Sequence, residues 1–173
     1  MNQDRYTDRA KGFVQAGQTI ALRENHQQFT PEHLLKALTD DAEGMAAGLI
    51  DRAGGSSRTV KQLNDVAVSK LPRVSGGSGG IYLTPALARV FATAEKAAEK
   101  AGDSFVTVER ILLALVVEKD TEAGQALAKG GVTPASLNTA IEAIRKGRTA
   151  DSASAEQAYD CLLYTSPSPR DRG

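Results

Sequence analysis

The sequence predicts an all-α fold: two four-helix repeats related by a pseudo-twofold and packed as one helical domain. Three observations predict it. The chain superimposes on itself, without gaps, at an offset of 77 positions. Its apolar residues recur at the 3.6-residue period of a buried helical stripe. Its hydroxyl, proline and glycine residues stand where helices start and stop, in the same places in both copies. The offset brings Thr7 onto Thr84, Ala21 onto Ala98, Thr30 onto Thr107, Glu32 onto Glu109, Leu35 onto Leu112, Leu38 onto Leu115, Ala46 onto Ala123 and Gly54 onto Gly131. Self-similarity that keeps both punctuation and core positions is the mark of a duplicated unit.

In the first helix of the first repeat, Thr7 is a candidate N-cap, and Ala10, Phe13, Val14, Gly17, Ile20 and Ala21 form one stripe. Its counterpart opens at Thr84-Pro85, carries Leu87, Val90, Phe91, Ala94, Ala97 and Ala98, and closes at Gly102. Proline suits the first helical position because it has no N–H to leave unsatisfied, and glycine suits the stop because it takes the left-handed conformation. The second helix begins at Thr30-Pro31-Glu32 or Thr107-Val108-Glu109 and is short and mostly buried. The third spans about 45–52 or 123–129 and ends at a glycine pair. The fourth runs over about 57–69, and from Thr133-Pro134 to about 146.

A connector at 72–82, rich in glycine and serine, separates repeat 1 (about 5–71) from repeat 2 (about 83–147) within a domain over 1–147. Residues 148–160 read as a linker, and 161–173, with two Ser-Pro steps and no helical period, as a disordered, non-native tail. A unit of ~70 residues is a marginal core alone, so the two should pack together and leave a groove where they meet.

Composition removes several function classes. Lys plus Arg number 21 and Asp plus Glu 21, scattered along the chain, so no basic stripe points to nucleic acid. The longest apolar runs, such as 111–117, are too short to span a bilayer, and the polar start is no signal peptide, so a cytoplasmic location is expected. One cysteine, Cys161, allows no internal disulfide. His26 and His33 are the only histidines and read as polar surface rather than a metal site. There is no G-x-S-x-G, no H-E-x-x-H and no P-loop, because the run 76–80 lacks the following lysine. The chain is read as no enzyme in itself, with no cofactor or metal of its own.

The run Phe29-Thr30-Pro31-Glu32-His33-Leu34-Leu35-Lys36-Ala37-Leu38, its echo Val108-Glu109-Arg110-Ile111-Leu112-Leu113-Ala114-Leu115, and Gly102-Asp103-Ser104-Phe105 resemble the duplicated Clp N-terminal domain. Leu71-Pro72 before the glycine-rich connector and the Ile144-Arg145-Lys146-Gly147 close resemble the ClpB-type disaggregase branch. The resemblance covers about 1–160 and implies a chain cut before ATPase modules, which would supply ATP and Mg chemistry. It implies a domain that captures unfolded or aggregated polypeptide, in a parent homohexamer cooperating with the DnaK system, the fragment itself being monomeric. Alternatives are the N-domain of a ClpA/ClpC-type unfoldase that docks adaptor proteins and, in another class, a helical DNA-binding or regulatory protein, against which the neutral charge argues.

The resemblance also assigns substrate handling to Thr7, Asp103 and Glu109. Each has a structural reading beside it: a helix cap, a residue after a helix stop, and a first-turn acid facing the helix dipole. Glu32 and Thr84 are their repeat partners, and Phe13, Val90, Phe91 and Ile111 are candidates to border the groove, although all four lie on predicted core stripes. In this register Asp103 falls opposite His26, an asymmetry pointing to one specialised surface.

Overall fold

The computed structural model describes residues 2–74 and 80–158. Connector residues 75–79 and the tail 161–173 therefore lie outside the described residues. The described chain forms eight α-helices: α1 (Asp8–Arg23), α2 (Pro31–Thr39), α3 (Met45–Arg52), α4 (Ser57–Ser69), α5 (Pro85–Lys100), α6 (Val108–Val117), α7 (Glu122–Lys129) and α8 (Pro134–Arg145).

The capping chemistry is largely as the sequence requires. Thr7 and Thr84 accept from the N–H three residues on, at Ala10 and Leu87 (3.1 Å each). Helices α2 and α8 start with reciprocal capping boxes and a proline in the first turn. Gly54, Gly102 and Gly131 take φ of +88°, +81° and +93° at the helix stops, the left-handed region that side-chain-bearing residues avoid.

Pairs of short strands, which carry no sequence period, tie the halves together. β1 (Gln28–Phe29) runs parallel to β2 (Tyr82–Leu83), with Phe29 opposite Leu83. An isolated parallel bridge joins Tyr6 to Val106. These two pairings exchange under the 77-residue offset, as do the bonds Thr84 N–H to Phe29 O (3.1 Å) and Thr7 N–H to Val106 O (3.0 Å). The pseudo-twofold thus passes between the strands, and each repeat's first helix starts beside the other repeat.

The repeats are interlocked rather than adjacent. α4 packs on α2 of its own unit and on α7 of the other, while α8 packs on α6 and on α3. The buried apolar residues form one cluster drawn from both repeats, including Leu34, Leu35, Leu38, Leu49, Ile50, Val90, Phe91, Ile111, Leu112 and Leu127. The glycine-marked ends of α3 and α7 touch: a Cβ on Gly55 would meet Val132 Cγ2 at 2.7 Å and Gly130 O at 2.8 Å. The expected open groove between units is instead this shared core, since interlocking buries more apolar surface than two abutting units could.

Candidate functional site

The start of α1, the loop 103–107 and the start of α6 meet because the Tyr6–Val106 bridge brings the first residues of one repeat onto the other. Thr7, Asp103 and Glu109 are gathered there. None of them is surface: their exposures are 0%, 6% and 0%.

What holds buried acids together is Arg145, at the end of α8. Its Nη1 donates to Asp103 Oδ1 (2.6 Å), its Nε to Glu109 Oε2 (2.8 Å) and its Nη2 to Thr107 Oγ1 (2.9 Å). Arg110 Nε donates to Asp103 Oδ2 (3.2 Å), and the Ala150 N–H to Asp103 Oδ1 (2.9 Å). Burial alone would raise the Asp103 carboxyl, but these hydrogen bonds and the two guanidinium charges outweigh it and hold the pKa below the ordinary value. The planar guanidinium presents its N–H groups in a fixed fork, so the two acids and the Thr107 hydroxyl are each met by a different nitrogen.

Because Thr107 faces Arg145, it gives α6 no side-chain cap. A carboxylate from far along the chain supplies one. Glu156 Oε2 accepts from the Val108 N–H (3.1 Å) and from the Thr7 hydroxyl (2.6 Å), so Thr7 caps α1 with a lone pair and holds Glu156 with its proton. Glu156 is 1% exposed; burial raises its pKa, the Glu109 charge raises it further, and the two donors only partly compensate. Residues 148–158, read from the sequence as linker, lie against this place as a strap. Ala150 O accepts from the N–H groups of Ser104 (2.9 Å) and Phe105 (3.1 Å), and Ala153 O from the Asp8 N–H (2.8 Å).

The twofold-related place differs in chemistry. Asp103, Thr107, Arg110 and Arg145 correspond to His26, Thr30, His33 and Val68. Here His26 Nδ1 lies 2.8 Å from His33 Nε2, and His33 Nδ1 accepts from the Thr30 N–H (3.0 Å). That acceptor role puts the His33 proton on Nε2, facing His26. The histidines are 4% and 0% exposed, so the expectation of polar surface is corrected: they replace a buried ion cluster by a neutral hydrogen-bonded one. Burial, then the neighbouring His26, lowers His33 to about 4.

The remaining candidates separate. Glu32 is buried and its Oε2 accepts from the Ala123 N–H (2.9 Å), capping α7 of the other repeat; burial raises its pKa against those bonds. Thr84 is half-buried and caps α5. Val90, Phe91 and Ile111 are core, at 0%, 2% and 0% exposure, and do not border a groove. Phe13 is half-buried in a shallow depression with Ile20 and Ala37. Exposed apolar side chains include Leu22 (59%), Val66 (50%) and Val117 (42%), and the adjacent Tyr82 (64%) and Leu83 (45%) stand beside a cleft of about 430 Å³ lined by His26, Thr30, Leu71, Pro72, Val74 and Tyr82. Sequence reasoning missed Arg145 and Glu156. Arg145 had a signal, since the offset sets it on Val68, a core position; Glu156 lies beyond the repeat and had none.

No helix among the described residues is long and apolar enough to cross a membrane, and no group of three or more potential metal-ligating His, Cys, Asp or Glu is found among them. Comparison with known proteins supplies the lineage. The family model for the Clp repeat (R) N-terminal domain matches residues 5–130. The chaperone protein ClpB of Rhodopseudomonas palustris is 64% identical over 163 residues, 94% of this chain and 18% of that protein. ClpB of Agrobacterium fabrum is 59% identical over 162 residues, again 94% and 18%. The chain thus spans about 18% of the length of these relatives. Among solved structures, the Hsp104 N-terminal domain from Candida albicans superimposes with a TM-score of 0.75 at 21% identity, covering 87% of this chain and 97% of that one. A ClpV N-domain in complex with a VipB peptide does so with a TM-score of 0.66 at 17% identity, covering 86% and 91%. On its matched residues and its interlocked repeats, the chain belongs to the Clp repeat N-terminal domain family, on the ClpB chaperone branch.

Proposed function

We propose that this chain is a polypeptide-binding module that receives unfolded or aggregated protein at the meeting of α1, the 103–107 loop and α6. The observation that carries the reading is that this place already receives a length of chain with no helix or strand, residues 148–154, through main-chain N–H groups of Asp8, Ser104 and Phe105. Such donors recognise any backbone and read no sequence, which suits a protein that must take diverse unfolded segments. Thr7, Asp103 and Glu109 serve this surface from beneath: Thr7 orders the start of α1, and the two acids with Arg145 fix the loop that presents the donors.

In a longer protein of the ClpB kind, the module would hold substrate while ATPase modules outside this chain, loaded with ATP and Mg, pull on it. Homohexameric assembly and cooperation with a DnaK system belong to that longer protein. For this chain, fluorescence anisotropy with a labelled, permanently unfolded polypeptide (reduced, carboxymethylated lactalbumin) should show saturable binding without nucleotide. Because the net charge is zero, the affinity should change little between 50 and 300 mM salt. Absence of saturable binding at any salt would sink the reading.

A further inference from the structure

The strap that marks the site also closes it. Three features describe how it is held. Only Ala150 and Glu156 of residues 148–157 are buried, so apolar contact contributes little; besides Ala153 O, which accepts from the Asp8 N–H (2.8 Å), these two buried points carry the attachment. Ala150 is fixed through both main-chain groups, its O to the Ser104 and Phe105 N–H groups and its N–H to Asp103. Glu156 is fixed only through its carboxylate, which accepts hydrogen bonds from the Thr7 hydroxyl and the Val108 N–H. That second point is costly to maintain: the carboxylate is buried beside another acid, Glu109, with no cation donating to it among the described hydrogen bonds and ion pairs. A single turn of 3-10 helix, Ala155–Ala158, presents it.

The receptor is built on one side only. In the twofold-related place Val108 is replaced by Pro31, which has no N–H to give, and Thr84 stands half-exposed where Thr7 is fully buried. Duplication alone therefore does not account for a carboxylate receptor here: the threonine is kept in both repeats, but the second donor, the Val108 N–H, has no counterpart at Pro31. Thr107 has likewise given up its capping role to Arg145, leaving the α6 start dependent on the strap.

We propose that residues 149–158 are an autoinhibitory strap whose Glu156 carboxylate occupies the site as a resident ligand, and that an acidic peptide segment takes its place when the strap lifts. This deepens the polypeptide-binding reading and rests on it for its biological meaning. The strap also joins the domain to whatever follows in a longer chain, so a pull from that side would release Glu156 and open the site.

The test uses the full chain and, as probe, a fluorescein-labelled peptide copying residues 151–157. The Glu156→Ala chain should bind the probe at least tenfold more tightly than the unaltered chain, and a probe carrying glutamine in place of its glutamate should lose most of that gain. Equal affinity for both chains, binding to neither, or indifference to the glutamine probe overturns the proposal. Should Glu156→Ala fail to fold, hydrogen exchange on the unaltered chain decides. Strap opening predicts that the Ser104, Phe105 and Val108 amides exchange together and at least a hundredfold faster than those of Leu112 and Leu115, whereas equal rates overturn it. If Glu156→Ala tightens the probe but leaves capture of carboxymethylated lactalbumin unchanged, the strap stands and substrate capture at this place fails. If the probe shows no gain while lactalbumin binds, the reverse holds.

Discussion

Arg145 holds two carboxylates, Asp103 and Glu109, inside the protein at 2.6 and 2.8 Å. Removing one member of a buried ion cluster leaves the others desolvated without compensation, a cost of about 3–5 kcal/mol. Arg145→Met should therefore lower the urea unfolding free energy by about that much, whereas an exposed ion pair such as Lys11–Asp8 should contribute under ~1 kcal/mol when deleted. The same physics bears on Asp103 and Glu109: alanine there should collapse stability as well as binding, so substitution at these two positions does not isolate a substrate contact. The histidine pair gives a pH signature. His33 titrates at about 4 in the folded protein and at the ordinary 6.5 when unfolded, so between these values the unfolded chain binds more protons. Its contribution is full above pH 6.5 and is lost as the pH falls to about 4. Glu32 and Glu156, with raised folded pKa values, act in the opposite direction as the pH falls towards 4.5. The clean readout is the difference in melting temperature between the unaltered chain and His33→Gln, which should shrink from pH 7 to pH 4.5; a constant difference would remove the histidine pair from the acid response. Thr7, Asp103 and Glu109 were legible as a set from the resemblance, but their burial was not, because sequence alone does not show that Arg145 turns inward to meet them.

Among the elements, the glycine-marked ends of α3 and α7 make a close join between repeats. Gly55→Ala should cost about 1–3 kcal/mol, because the new methyl meets the carbonyl of Gly130 as well as the flexible Val132 side chain. Chemical denaturation checks it, and a change under 0.5 kcal/mol would show that the join relaxes freely. Helix bounds were readable almost to the residue. Met45–Arg52 and Ser57–Ser69 match because a glycine stop and a serine start leave little freedom there. The strands β1 and β2 were not readable: two residues have no period, and their pairing is set by the twofold rather than by local sequence. The cap that α6 takes from Glu156 was equally hidden, since a Thr at the usual N-cap position gives no sign that its hydroxyl is engaged elsewhere.

At the scale of the whole molecule, the exchange of partners between third and fourth helices makes the two repeats one cooperative unit. Neither half should fold alone: a peptide of residues 1–74 and one of 80–158 should each show little helical circular dichroism, and mixing them should restore it. Substantial helix in either half by itself would contradict the interlocked core. The duplication was legible from the 77-residue offset; the interlocking was not, because a repeat states which segments are alike and not which of them touch. With the core shared and closed, two candidate places for a polypeptide partner are the strap site at α1, the 103–107 loop and α6, and the exposed Tyr82–Leu83 edge. The decisive measurement is a titration of the ¹⁵N-labelled full chain with carboxymethylated lactalbumin, following amide shifts. Binding at the strap site should move Asp8, Ser104, Phe105 and Val108 together and leave Tyr82 and Leu83 in place; movement confined to Tyr82, Leu83 and their neighbours would put the polypeptide site elsewhere.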